Sequence, residues 1–241
     1  MISCTAQKKI PYYLENPVDT AGKTGVKSPA LKIQKNDLLF IHVYSMSTKP
    51  EISDAIYNLP SGDAAGQVAG FLVDVNGNIE YPQLGTIHAE GLTKEELAAE
   101  IKKRLTQPVA LLLNPSVIIR FMNYKITVLG QVGKEGVVNV PGEKINIFEA
   151  VGLAGGITDY GKKNNVKIIR EYNGKREIGI IDLSSQDVFQ SPYYHLMQND
   201  IVLVEPTPQK ARQVDQAILA QRISFALGVI TSAAFIYNIF K

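Results

Sequence analysis

A single cysteine, Cys4, stands in a chain of 241 residues, so neither an intramolecular disulfide nor a thiolate metal cluster can form. The three histidines, His42, His88 and His195, lack the i,i+4 pairing and the Cys-x-x-Cys company of a zinc site. Charge of either sign is not in excess: 25 Lys and Arg against 23 Asp and Glu leave a net +2, without the basic footprint on which nucleic-acid binding depends. Carboxylates and histidines are scattered with no nucleophile–base spacing. Gly152-x-x-Gly155-Gly156 lacks the following Lys-Ser/Thr of a phosphate loop and reads as the end of a helix. No enzyme activity, catalytic residue, metal or cofactor is therefore expected. What is present is a 45% hydrophobic composition with 19 Gly and 12 Pro, which is that of a folded globular chain long enough for two domains.

The apolar residues are concentrated at the C-terminus. Ile223 to Phe240 carries no formal charge and is closed by Arg222 and Lys241. As a helix at about 1.5 Å per residue this run spans about 27 Å, close to the hydrocarbon core of a bilayer, with the two cations able to snorkel to the interfaces. A membrane helix is the expectation; a buried core helix is the alternative and would need a partner on nearly every face. Gln221, Ser224, Gly228, Thr231 and Asn238 share one stripe, interrupted by Phe235, and either pack helices together or face water inside a ring of such helices. At the other end no charged start and apolar run of a secretory signal precedes Cys4. Ser3-Cys4 nonetheless looks like the tail of a bacterial lipoprotein cleavage site, in which case Cys4 carries lipid; otherwise it is an incidental cysteine.

Between the ends, Pro- and Gly-rich residues 5–30 read as an extended arm, and Leu38–Tyr44 as a strand opened by Asn36-Asp37. Ser45 to Gly70 reads as an insertion loop. Asn76-Gly77 between Phe71–Val75 and Asn78–Pro82 predicts a two-residue hairpin with both central residues at positive φ. Thr93 and Glu96 form a capping box for a helix whose stripe is Leu97, Ile101 and Leu105, and Ser116–Phe121 is the next strand. A second unit follows: strands Lys125–Gly130 and Gly136–Val140, a short helix from Asn146 to Leu153, strands Val166–Arg170 and Glu177–Leu183 around Asn173-Gly174, and a last strand Ile201–Val204. This order suggests a β-grasp-like module. Asp37 and Asp74 lie beside turns and are read as turn formers. Gln34–Phe40 is weakly echoed by Met197–Leu203, each placing Asn-Asp before an apolar strand.

Taken in order, Asn36-Asp37-Leu38, Val73-Asp74-x-x-Gly77-x-Ile79-x-x-Pro82-x-Leu84-Gly85, Gly91-Leu92-Thr93, Asn114-Pro115-x-Val117, Val128-x-Gly130-x-Val132, Pro141-Gly142, Ala154-Gly155-Gly156-Ile157 and the Asn199-Asp200 turn resemble the outer-membrane polysaccharide export family. The resemblance covers roughly residues 31–205. It implies an α+β fold: an N-terminal arm over 1–30 with a lipid anchor at Cys4, a polysaccharide export domain over 31–121, one β-grasp soluble-ligand-binding domain over 122–205, a linker over 206–214 and a C-terminal transmembrane helix over 215–241. Asp37, Asp74, Gly77, Pro82, Gly85, Gly91, Pro141, Gly142, Gly155, Gly156 and Asp200 would be its structural positions. Asn36 and Asn199 stand where the family usually has Gly, a mild change because Asn tolerates positive φ. The implied function is export of capsular or exopolysaccharide through a lipid-anchored, periplasmic homo-oligomeric ring with a helical pore in the outer membrane. The implied partner is an inner-membrane polysaccharide co-polymerase, often linked to a tyrosine kinase. A tethered periplasmic glycan-binding or scaffolding module without its own pore is the competing reading.

Overall fold

Alternation of buried Leu39, Ile41 and Val43 with more exposed neighbours makes Leu38–Tyr44 a strand, β1, with one face turned inward. The computed structural model describes residues 12–15, 26–46, 54–59, 70–172 and 174–210, and beyond them the helical positions 219, 221–225, 227–228 and 231. β1 is the middle of a three-stranded antiparallel sheet, between β2 (Phe71–Leu72) and β5 (Ser116–Phe121). A hairpin of β3 (Asn78–Tyr81) and β4 (Gly85–His88) and the helix α1 (Lys94–Thr106) complete this first core. The expected capping box starts α1: Glu96 N–H donates to Thr93 Oγ1 at 3.2 Å, and Thr93 N–H donates to Glu96 Oε2 at 2.8 Å. Leu97, Ile101 and Leu105 are fully buried, as their i,i+4 spacing requires.

The second core is built on five strands: β6 (Lys125–Gly130), β7 (Gly136–Asn139), β9 (Gly161–Tyr172), β10 (Lys175–Ile181) and β12 (Ile201–Pro206). Their order is β10-β9-β12-β6-β7, with β12 parallel to β6 at the centre and the other pairs antiparallel. On the inner face lies α2 (Ile147–Leu153), capped by Asn146 and ended at Gly155 and Gly156, where Gly156 N–H donates to the Val151 carbonyl at 2.9 Å. A two-stranded ladder of β8 (Ile145–Asn146) and β11 (His195–Leu196) completes it. Phe121 packs against both cores.

Three expectations are corrected, and the arm proves to be bonded to the body. Asn76-Gly77 does not join a hairpin: β2 pairs with β1, β3 pairs with β4 across Pro82–Leu84, and of the turn pair only Gly77 has positive φ. Asp74 shapes that turn instead, its Oδ1 accepting from the N–H groups of Asn76 and Asn78 at 2.8 Å each. The stretch read as an insertion loop contributes a 3-10 turn, Ala55–Tyr57, whose tyrosine enters the first core. The arm is fastened to the second core, through Leu14 N–H to the Leu183 carbonyl (3.1 Å), Glu15 N–H to Ser184 (2.7 Å) and Val26 N–H to Phe189 (3.3 Å). Finally, β9 begins five residues before the expected Val166, because polar Lys162–Asn165 conceal its alternation while Lys163 is itself buried.

The mixed α+β class is as expected. Among the described residues no helix is long and apolar enough to cross a membrane. The expected membrane helix over 215–241 falls largely outside the described residues, as does Cys4.

Candidate functional site

The two echoed turns are the same structure. Asn36 and Asn199 take φ of 66° and 65°, and each following aspartate accepts from the N–H three residues earlier, Asp37 from Gln34 and Asp200 from Met197, both at 2.8 Å. The two turns meet. Gln198 Nε2, on the turn before β12, donates to Asp37 Oδ1, on the turn before β1, at 2.6 Å, and both side chains are buried. Asn123, in the short connection from β5 to β6, adds a clamp: its Oδ1 accepts from Leu38 N–H and its Nδ2 donates to the Asn36 carbonyl, each at 2.9 Å. Lys94 of α1 reaches Glu143 of the second core. Beside this joint a cleft of about 320 Å³ is lined by Leu31, Lys32, Tyr124, Lys144, Leu196 and Met197.

The electrostatics of the two turns differ. Asp200 is held by Arg170, whose Nη2 lies 2.7 Å from Oδ2, and burial opposes the Arg170 cation while Asp200 holds it in place. Burial pushes the Asp37 carboxyl up to about 6, against the pull of the Gln34 N–H and the Gln198 amide.

The other motif residues are distributed. Gly77, with φ of 82°, packs so tightly that a Cβ would lie 2.6 Å from that of Glu90, and Gly91 N–H donates to the Ile33 carbonyl. Pro82 and Gly85 form the β3–β4 turn, and Pro141 and Gly142 lie exposed between β7 and β8. Gly155 and Gly156 sit where β6 ends, away from the joint, bonded through Gly156 to Gly133 N–H. Gln221, Arg222, Ser224, Gly228 and Thr231 are helical and exposed, with Thr231 Oγ1 donating to the Gly228 carbonyl at 3.0 Å; Asn238 and Lys241 lie outside the described residues. Sequence reasoning missed Gln198, Asn123 and Arg170. The echo of the two turns was the signal that could have led to Gln198.

A second feature is the outer face of the five-stranded sheet. Register aligns Val137, Thr127, Ile201, Ile169 and Ile178 in one row across all five strands, and the next row runs Leu129, Leu203, Lys167 and Ile180. Val137, Ile178 and Ile180 are each about 60% exposed.

Residues 26–122 match the model of the "polysaccharide biosynthesis/export protein" family. Over those residues the chain carries this family's domain. It is 27% identical over 188 residues to the EPS I polysaccharide export outer membrane protein EpsA of Ralstonia nicotianae, covering 74% of this chain and 48% of that protein. To EpsA of Ralstonia solanacearum it is 25% identical over 189 residues, covering 75% and 49%. To the Vi polysaccharide export protein VexA/TviF of Salmonella typhi it is 34% identical over 118 residues, covering 49% and 30%. The chain thus spans about half the length of the EpsA relatives. The matched export domain holds the first core and the Asn123-proximal side of the joint, including Asp37, Asp74, Gly77 and Gly91.

Proposed function

We propose that this chain is a subunit of an outer-membrane polysaccharide export assembly, a ring of identical copies through which a capsular or extracellular polysaccharide passes. The export domain over residues 26–122, and relatives named as polysaccharide export outer membrane proteins, support the transport role. The ring rests on one observation, the uncharged row Val137-Thr127-Ile201-Ile169-Ile178 across the open sheet face. Apolar surface of that breadth is stabilised by burial against a neighbour, and copies closing on themselves bury it in every subunit.

In this reading the second core, with its central parallel pair and single helix, is a β-grasp soluble-ligand-binding domain. The C-terminal helices turn Gln221, Ser224, Gly228, Thr231 and Asn238 toward a lumen, with Arg222 and Lys241 at the membrane interfaces. Cys4 carries lipid, and the partner is an inner-membrane polysaccharide co-polymerase or tyrosine kinase. Mass measurement of protein extracted from its native membrane in detergent tests this. A closed cyclic oligomer is expected, with a lipid increment on each protomer that Cys4→Ser abolishes, and Ile178→Lys should break it into smaller species. A strictly monomeric particle overturns the ring and favours a tethered glycan-binding or scaffolding module; an unmodified Cys4 overturns the anchor.

A further inference from the structure

Two copies of one turn face each other across the joint, and they differ in one charge. Asp200 is fully buried but compensated: Arg170 Nε lies 3.0 Å from Oδ1 and Nη2 2.7 Å from Oδ2. Asp37 is as enclosed, 1% exposed, yet among the described residues its oxygens accept only from Gln34 N–H and from the Gln198 amide of the opposite core. The charged groups on the surrounding elements are engaged elsewhere, carry the same sign or, in the case of Lys125, lie exposed at the surface. Lys35, on the same turn, pairs with Glu90. Asp74 follows Val73, whose backbone bonds both Asn36 and Asp37, and from the second core come Lys125, whose carbonyl accepts from Asn199 N–H, and the Arg170–Asp200 pair. Among the described residues none of these forms an ion pair with Asp37. A carboxylate buried without a counter-charge favours its protonated form.

We propose that Asp37 and Gln198 form a proton-controlled latch between the two cores, in which neutral Asp37 keeps them docked and ionised Asp37 loosens them. Separation of the cores withdraws Gln198 and admits water to the carboxyl, which stabilises the ionised form much more than the neutral one. When neutral, Asp37 can donate its proton to the amide oxygen of Gln198, once that amide has turned. The sign follows from linkage. The docked carboxyl titrates near 6 and a water-exposed one near its ordinary 3.8, so the docked state binds the proton more tightly. The contribution to docking is complete below about pH 4 and is lost as pH rises through about 6, with a ceiling of about 100-fold on the opening equilibrium. This latch is independent of what the protein transports.

Two measurements on the full chain test it. Lys102→Cys and Lys134→Cys, both at exposed positions and placed one on each core in a Cys4→Ser background, take a dye pair for single-molecule energy transfer. Between pH 5 and pH 8 the low-transfer, separated population should rise, by up to about 10-fold, and Asp37→Asn, neutral at both values, should hold it at its low level. An unchanged population, or the same response in Asp37→Asn, overturns the latch. Carbon-13 titration of the Asp37 carboxyl in the otherwise unaltered chain decides the matter even if the variant fails to fold: a midpoint near 6 supports the latch, and a midpoint near 4 overturns it.

Discussion

Asp200 and Tyr81 bury polar atoms on opposite terms. Asp200 is satisfied by Arg170 and by Met197 N–H, whereas the Tyr81 hydroxyl, inside the first core beside Phe71, meets no protein partner among the described residues, and burial pushes its pKa up. Removing one member of a satisfied buried pair strands the other charge, at a cost of about 3–5 kcal/mol. Arg170→Leu should therefore lower unfolding stability by about that amount, read from urea denaturation with an unchanged slope. Tyr81→Phe removes an unpaired hydroxyl and keeps the ring stacked on Phe71, so its midpoint should stay within about 1 kcal/mol of the parent or rise. A loss of several kcal/mol there would mean that the hydroxyl has a partner.

At the scale of elements, the parallel pair β6·β12 depends on one backbone approach. A Cβ on Gly130, whose φ is +95°, would lie 2.1 Å from the Val204 carbonyl oxygen, while one on Gly142 meets nothing closer than 3.9 Å. Gly130→Ala should cost about 3 kcal/mol through overpacking and backbone strain, and Gly142→Ala less than about 1 kcal/mol. Equal midpoints in thermal melts would show that the pair can shift to make room. Elements specified by neighbouring residues were legible in the sequence: Thr93 and Glu96 start α1 within one turn, Leu97, Ile101 and Leu105 mark its buried face, and β1 and β5 were read to the residue. The turn at Asn76-Gly77 was misplaced because it depends on which strand captures Phe71–Leu72, and that strand is β1, more than thirty residues earlier. The joint was half legible. The matching Asn-Asp turns could be seen as a pattern, but Gln198 meets Asp37 across a separation of 161 residues, which no local rule supplies.

For the whole molecule, the proposed pore requires that the C-terminal segment turn one side to a lumen, whereas a tethered module requires no such side. Ser224, Gly228 and Thr231, all helical, fall at i, i+4 and i+7 and so share one side of the helix; a helical period applied to the sequence alone assigns positions 229 and 233 to the other side. If the small and polar side faces water inside a ring, single cysteines at 224, 228 and 231 should react with a membrane-impermeant thiol reagent, and cysteines at 229 and 233 should be protected by lipid or a neighbouring helix. The thiolate is the reacting species and forms where water reaches it, so the labelling pattern maps the wet side directly. A Cys4→Ser background removes the other thiol of the sequence. Thr231→Leu then separates the two roles: leucine is at least as favourable in a bilayer, so insertion should be retained, while an apolar ring in the lumen should reduce polysaccharide export. Equal protection on both sides together with normal export by Thr231→Leu would reject the pore, and the exposed sheet row would then be explained as the docking face of a tethered module.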